Sequence, residues 1–508
     1  MRIAVVDDGI YDGYYENTFA TQDLMVDDEL NIVPRTQREQ GVFSHATVCA
    51  AIIKKYCADA ELVSIKVLDE ESARGSADKL VAAIDWCAEN NVRLVNASLG
   101  STYIGDYEPL RKCINRAYAK GVIVVSAVDN GSFISFPALF GNVIGVRACE
   151  NAKTDFIFEK KEIGSDLQAG EDMLWLVKSY DGIKLLARGS HELKDFGSNI
   201  DVCEAFNSYA APFVTAMIAK NGCNKKIMEL LYCGGFARLD WLNRFIYISA
   251  FEERNIELDK WFESAYMINA GGDYGRTVRD IIAEKKADCI VFGRDMNEAD
   301  VKAALEELGF SFLNDNDIRL AALGADAGFA DLELQAAFKW TRVKGSINAD
   351  NCMISGKESL NKSNNCDEAC SVPVVRLISN DAYIHCALAK LLAECFKQDN
   401  YYAKALTDDS LGALLDSEFS VQAAVDAVRL EKMLEKIFDP DIIIEHSCID
   451  FNSEADVVVE VCRKFSPEGF AISKLSGTHL SCVVNNNNIN NLRALSKKLY
   501  NTLVHILR

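Results

Sequence analysis

The stretch EAFNSYAAPFV, residues 204–214, places Ser208 among small residues, just ahead of the run Ala210, Ala211, Pro212. A serine in this setting has two readings. Ser, Asn and Asp open helices because a side-chain oxygen accepts one of the orphan backbone N–H groups of the first turn. A serine nucleophile can also stand at the head of a buried helix, but it is weak at neutral pH and needs a base within hydrogen-bond reach. Taken alone, the segment reads as a helix start. A catalytic reading requires a histidine and an acid elsewhere.

Both occur early in the chain. Asp7 lies in AVVDDGI (4–10), where an apolar run ends in a Gly turn. Functional groups collect at the carboxyl ends of strands in open parallel sheets, although an Asp before Gly is also an ordinary turn residue. His45 lies in SHATVCAAII (44–53), where it opens an Ala-rich apolar helix; a histidine at a helix start is also a common cap or core residue. The only other histidine of the first 222 residues is His191.

The surrounding pattern supplies a scaffold. RIAVV (2–6), ELVSIKVL (61–68), VRLVNASL (92–99), GVIVVSA (121–127) and NVIGVRA (142–148) read as buried strands. ADKLVAAIDWCAENN (77–91) and YEPLRKCINRAYAKG (107–121) have helical periodicity between them. Strands alternating with helices of this length predict an α/β fold with a parallel sheet covered on both faces.

The order Asp, His, Ser on such a sheet is one of the recurrent triad orders. AVVDDGI resembles the Asp motif of the subtilases, HATVCAA (45–51) their His motif and FNSYAAPFVTA (206–216) their Ser motif. NASLGS (96–101) resembles the strand that pairs with substrate, VVSAVDNG (124–131) the segment carrying the oxyanion asparagine, and FPALFGNVIGV (136–146) the stretch after it. The resemblance implies a subtilisin-like peptidase domain over residues 1–222, with Asp7, His45 and Ser208 as the triad and Asn130 in the oxyanion hole. It implies substrate contacts at Ser98, Leu99, Gly100, Ala127, Val128 and Asp129. It allows calcium, but no calcium site maps onto this sequence, and no other cofactor is expected.

Four positions depart from the family pattern: Ala46, Val48, Asp129 and Phe206, the last replacing the glycine two residues before the serine. None removes a proton-transfer group. Asp8 is an alternative triad acid by one register step, and strand alternation favours Asp7. Asp129 either favours a basic residue before the cut bond or caps a local turn.

Composition bounds the remaining possibilities. The chain has 508 residues, 25% of them charged, and a formal charge of -21, which argues against a nucleic-acid partner. No run of 18 or more apolar residues occurs, so no membrane span is expected. MRIAVVDDGI lacks the pattern of a signal peptide, and the Asp motif begins so early that no prodomain is expected before it. Seventeen cysteines then point to a reducing cytoplasm and free thiols. CDEAC (366–370) has no matching second pair and does not predict zinc.

Downstream the pattern restarts as one or two further α/β (Rossmann/P-loop-like) domains. RFIYISAF (244–251), ADCIVFG (287–293) and FSFL (310–313) read as strands, and NEADVKAALEELG (297–309) as an amphipathic helix. GGDYGRT (271–277) reads as a turn. The domains drawn are 223–343 and 372–508, joined by a polar linker or long loop at 344–371. VPVVRLISNDAYIHCALAKLL (372–392) has the shape of a P-loop without its glycines and lysine, so phosphate has no cradle. This region faintly resembles proteins of bacterial peptide-maturation systems. The expected function is a cytoplasmic serine endopeptidase that removes the leader of a ribosomally made, modified precursor peptide in natural product biosynthesis. The alternative is a weak or inactive subtilase-fold scaffold that holds peptide. Oligomeric state is not legible.

Overall fold

Successive side chains of a strand point to opposite faces of its sheet. The first strand, β1 (Arg2–Asp7), serves two cores in this way. Ile3 and Val5 pack with the helices α1 (His45–Tyr56) and α4 (Asn207–Asn221), whereas Ala4 and Val6 pack with α2 (Ala77–Glu89) and α3 (Tyr107–Ala119). The same alternation sends Asp7 to the face that carries α1 and α4.

The computed structural model describes residues 1–11, 20–36, 44–69, 74–131, 134–151, 157–163, 174–179, 181–193, 202–203, 205–222, 239–250, 256–271, 274–323, 340–343, 370–420, 423, 426–451, 453–464, 469–485 and 488–507. They fall into two compact units, Met1–Phe236 and Ala237–Arg508.

The first unit is built on a ten-stranded sheet. Its strands are β1, β2 (Gln22–Val26), β3 (Ile32–Pro34), β4 (Glu61–Lys66), β5 (Leu94–Ala97), β6 (Ile123–Ala127), β7 (Val143–Ala148), β8 (Ile157–Glu162), β9 (Leu174–Ser179) and β10 (Leu185–Ala187). The order is β3-β2-β4-β1-β5-β6-β7-β10-β9-β8. The pairs from β2 to β10 across the middle are parallel, and antiparallel strands finish both edges. A two-stranded ribbon, β11 (His191–Glu192) and β12 (Val202–Cys203), lies outside this sheet. All five expected central strands and both expected helices are present. The edge strands were not legible, because Gln22–Val26 and Ile32–Pro34 are short and only partly buried.

The second unit has a five-stranded parallel sheet, in the order β14-β13-β15-β16-β17. Its strands are β13 (Arg244–Ser249), β14 (Ser264–Asn269), β15 (Cys289–Phe292), β16 (Arg319–Leu323) and β17 (Trp340–Val343). A seven-stranded sheet follows in the order β20-β19-β21-β18-β22-β24-β23. Here the strands are β18 (Val374–Ile378), β19 (Ala403–Thr407), β20 (Glu418–Phe419), β21 (Ile442–Ser447), β22 (Val457–Arg463), β23 (Phe470–Ser476) and β24 (His479–Val484). It is parallel except for the β23–β24 hairpin. Both sheets feed one core, in which Phe245 and Tyr247 join Leu377 and Tyr383.

Two readings are corrected here. FSFL is helical (Phe310–Asp315), and the next strand is Arg319–Leu323. A four-residue stretch after Gly309 with three apolar residues is too short to carry a periodicity that separates strand from helix. The second half of GGDYGRT opens a helix, Tyr274–Ala283, with Gly275 N–H donating to Glu307. The expected linker lies outside the described residues except for Cys370 and Ser371, as does Cys366. The loop between Val374–Ile378 and the helix Ala382–Gln398 contains Ser379 and Asp381, without glycine or lysine.

Close packing of β7 gives a test. A Cβ on Gly145 would lie 2.3 Å from the Ala138 carbonyl oxygen, and backbone cannot swing away as a side-chain tip can. Gly145→Ala should destabilise the first unit by about 1–3 kcal/mol, the usual cost of overpacking. Gly271→Ala meets only Asn269 Oδ1 at 3.6 Å and should leave a denaturant melt unchanged.

Candidate active site

Helix α1 begins where Ser44, in extended conformation, accepts the Thr47 N–H at 3.1 Å. Its first turn has no acidic residue of its own. The chain supplies one from just after β1: Asp8 accepts the His45 N–H at 2.9 Å and the Ala46 N–H at 2.8 Å. A carboxylate at a helix N-terminus satisfies orphan donors and meets the positive end of the dipole. Burial and the neighbouring Asp7 charge push the Asp8 carboxyl pKa up, while its two bonds to α1 oppose that shift. Asp8, the alternative triad acid, is thus occupied as a cap.

Asp7 is only 1% exposed, and its Oδ2 lies 2.9 Å from His45 Nδ1. Its Oδ1 accepts the Asp8 N–H at 2.9 Å. A carboxylate only accepts, so neutral His45 carries its proton on Nδ1 and has its lone pair on Nε2. The imidazole stacks on Tyr209, with centroids 5.1 Å apart and planes 21° off parallel. Burial disfavours the charged ring, but the charge of Asp7, then Cys49 and the hydrogen bonds to both, outweigh it and hold the His45 pKa well above its ordinary 6.5.

Ser208 is the second residue of α4 and is 9% exposed. From Asn207 through Ile218 this helix is buried without a break, as expected of a helix with little polar surface. Pro212, four residues on, has no N–H to give the Ser208 carbonyl. The Cys49 thiol faces that carbonyl at 3.8 Å, and its sulfur also lies 3.8 Å from His45 Nδ1 and 3.5 Å from Ser98 Oγ. Sequence reasoning missed Cys49, although its spacing four residues after His45 places both on one helix face.

Asn130 is oriented by Asn207. The Asn207 backbone N–H donates to Asn130 Oδ1 at 3.0 Å, which leaves Asn130 Nδ2 to face elsewhere. The Asn207 side chain donates to the Asp129 carbonyl and accepts the Ala148 N–H, both at 2.9 Å. Asp129 accepts the Gly131 N–H at 2.6 Å, so its carboxylate caps the turn that presents Asn130. Asn207 was also missed; next to a candidate nucleophile it reads as one more helix-start residue.

Asp7, His45, Asn130 and Ser208 line one cleft of about 620 Å³, together with the expected contacts at 98–100 and 127–129. Gly100 lets its segment pack closely on the Phe136 backbone, since a Cβ there would meet the Phe136 carbonyl oxygen at 2.8 Å. His191 is elsewhere. It is buried, bonded to Tyr56 and to the Tyr209 carbonyl, and burial lowers its pKa to about 4. Chemically, a base held by a buried acid, a serine at a helix head and an amide donor share one solvent-open groove.

Two outcomes test this geometry. In Asp7→Asn the charge that raises the His45 pKa is gone while burial remains, so the imidazole pKa read by NMR should fall. Asp8→Ala should instead cost about 1 kcal/mol of stability, the ordinary loss of a helix cap, and leave the His45 titration above 6.5.

The family model described as Subtilase family matches residues 1–222. Among curated relatives, the minor extracellular protease Epr of Bacillus subtilis (strain 168) is 26% identical over 231 residues, 43% of this chain and 31% of that protein. Subtilisin BL of Lederbergia lenta is 28% identical over 180 residues, 33% of this chain and 63% of that one. The chain therefore spans about a third to under two thirds of the length of these relatives. A solved structure of an epidermin leader peptide processing serine protease from Staphylococcus aureus is 18% identical, with a TM-score of 0.31, over 46% of this chain and 69% of that chain. The first 222 residues of this chain are a subtilase segment.

Proposed function

We propose that this segment is a working serine endopeptidase, with Ser208 as nucleophile, His45 as base and Asp7 as the acid that orients it. The observation that carries the reading is the 2.9 Å Asp7–His45 bond beside a cleft that Ser208 and Asn130 also line. His45 Nε2 takes the Ser208 hydroxyl proton as Oγ bonds to the scissile carbonyl carbon. The negative charge moves to the carbonyl oxygen, where Asn130 Nδ2 and the Ser208 N–H at the head of α4 donate to it. His45 then returns the proton to the leaving amine as the C–N bond breaks. Water enters by the same base and releases the acyl group.

Phe206 motivates the rival reading, a scaffold that holds peptide without cutting it. Its backbone, at φ -102° and ψ 149°, is one that any L residue adopts, so the missing glycine costs no strain. The ring is 40% exposed, lies edge-on to Tyr209 and lines the cleft, which makes it an apolar wall for substrate. Within the enzyme reading, the substrate is a ribosomally made precursor peptide that loses its leader. The described residues lining the cleft fall between Asp7 and Tyr209, and precursor recognition is assigned in this reading to the unit Ala237–Arg508. The free thiols of the described cysteines support a reducing compartment.

A fluorophosphonate should label Ser208, with no labelling in Ser208→Ala and labelling almost abolished in His45→Ala. Asn130→Ala should slow peptide turnover by about a hundred- to a thousand-fold. Because only neutral His45 accepts a proton, labelling should rise with pH, with a midpoint above 6.5. A folded wild-type sample that does not label leaves the scaffold reading standing. Cleavage mapping should show one preferred cut in a precursor peptide and little turnover of casein. An Asp129→Ala profile identical to wild type would assign that carboxylate to the turn alone.

A further inference from the structure

The second unit contains a group of metal-ligating side chains that the peptidase chemistry does not use. His385 stands in the first turn of the helix Ala382–Gln398, directly after β18. Asp409 follows β19 by two residues, and Cys448 follows β21 by one. The strands β19, β21 and β18 are adjacent and parallel, so all three residues meet at one carboxyl edge. Open parallel sheets bind ligands at that edge.

We propose that His385 Nε2, Cys448 Sγ and the Asp409 carboxylate form a zinc site with an open fourth position. The three ligand atoms lie within 4.8 Å of one another. Cys448 Sγ stands 3.5 Å from His385 Nε2. Nitrogen and sulfur bound tetrahedrally to one zinc, at about 2.05 and 2.3 Å, are themselves about 3.5 Å apart. A set of imidazole, thiolate and carboxylate suits zinc rather than calcium or magnesium.

The outer contacts fit the same assignment. Metal-ligating histidines donate their second ring N–H to a neighbouring acceptor. With Nε2 on zinc, His385 Nδ1–H faces His446 Nδ1 at 2.9 Å, and His446 Nε2–H then faces Ser417 Oγ at 2.7 Å. Each ring in this relay has one donor and one acceptor, so it needs no charged imidazole. The two facing Nδ1 atoms are too close to share one zinc, since such nitrogens stand about 3.3 Å apart. That places the ion on the Nε2 side. Gly412 makes room for the inner ring, because a Cβ there would come within 3.2 Å of His446 Cε1. Asp409 is held by the Leu411 N–H at 2.9 Å and by Arg294, and each carboxylate oxygen keeps a second lone pair. Cys448 is exposed, which gives the ion a path from solvent. Binding converts the Cys448 thiol to thiolate and releases its proton to water.

The test uses the full chain, treated with chelator and then given stoichiometric zinc. Iodoacetamide modification of Cys448, read by peptide mass spectrometry, should slow at least tenfold with zinc. The protection should disappear in His385→Gln and in Asp409→Asn; the second variant keeps the test valid if the first fails to fold. Cobalt in place of zinc should give a tetrahedral thiolate spectrum that Cys448→Ser abolishes and Cys49→Ser leaves intact. That control is needed because Asp7, His45 and Cys49 also lie within 4.8 Å of one another. Equal alkylation with and without zinc, or a cobalt spectrum lost in Cys49→Ser instead, overturns the site and leaves a thiol–imidazole hydrogen bond.

Discussion

The hydrogen bond between Asp7 and His45 is the contact on which the chemistry proposed for the first unit depends, and it is a consequence of strand register. Asp7 ends β1 and Asp8 follows it, and both carboxylates meet the start of α1 at different groups. Asp7 reaches the imidazole at 2.9 Å, while Asp8 takes the N–H groups of His45 and Ala46. One carboxylate therefore holds the ring and the other holds the helix that carries it. A one-residue slip of β1 would exchange these roles and turn Ile3 and Val5 out of their core.

The serine depends on burial in a comparable way. Helix α4 packs against β5, β6 and β7 through small residues such as Ala210, Ala211 and Ala216, all fully buried. That packing brings its N-terminus close to the strand ends. Asn207 then joins the helix to the loop after β6, so Ser208 and Asn130 are positioned by a single side chain and its backbone N–H. Pro212 leaves a carbonyl without its helical partner, and Cys49 of the neighbouring helix faces it.

The second unit handles buried polarity differently. Arg376 and Glu445, on paired strands, are both nearly inaccessible and bonded at 2.7 Å. His385, His446 and Ser417 form a chain of hydrogen bonds in the same sheet layer. Groups of this kind cost stability unless each finds a partner. Here the parallel strand ends bring together partners that are far apart in the chain.

The alternating apolar runs, the motifs around Asp7, His45 and Ser208, and the asparagine at 130 were all legible, because strand and helix periods and side-chain chemistry are local properties of the chain. The short edge strands, the helix at Phe310–Asp315 and the roles of Asn207 and Cys49 were not. Their meaning lies in contacts between residues as distant as Cys49 and Ser208. By itself, the sequence determined the α/β class of the first unit and named the candidate reactive groups that its cleft brings together. Tertiary structure alone decided that Asp8 caps α1, what orients Asn130 and which histidines and thiols gather at the second sheet. Such choices follow from register and from the packing of distant segments, and the spacing of residues along a chain does not encode them one at a time.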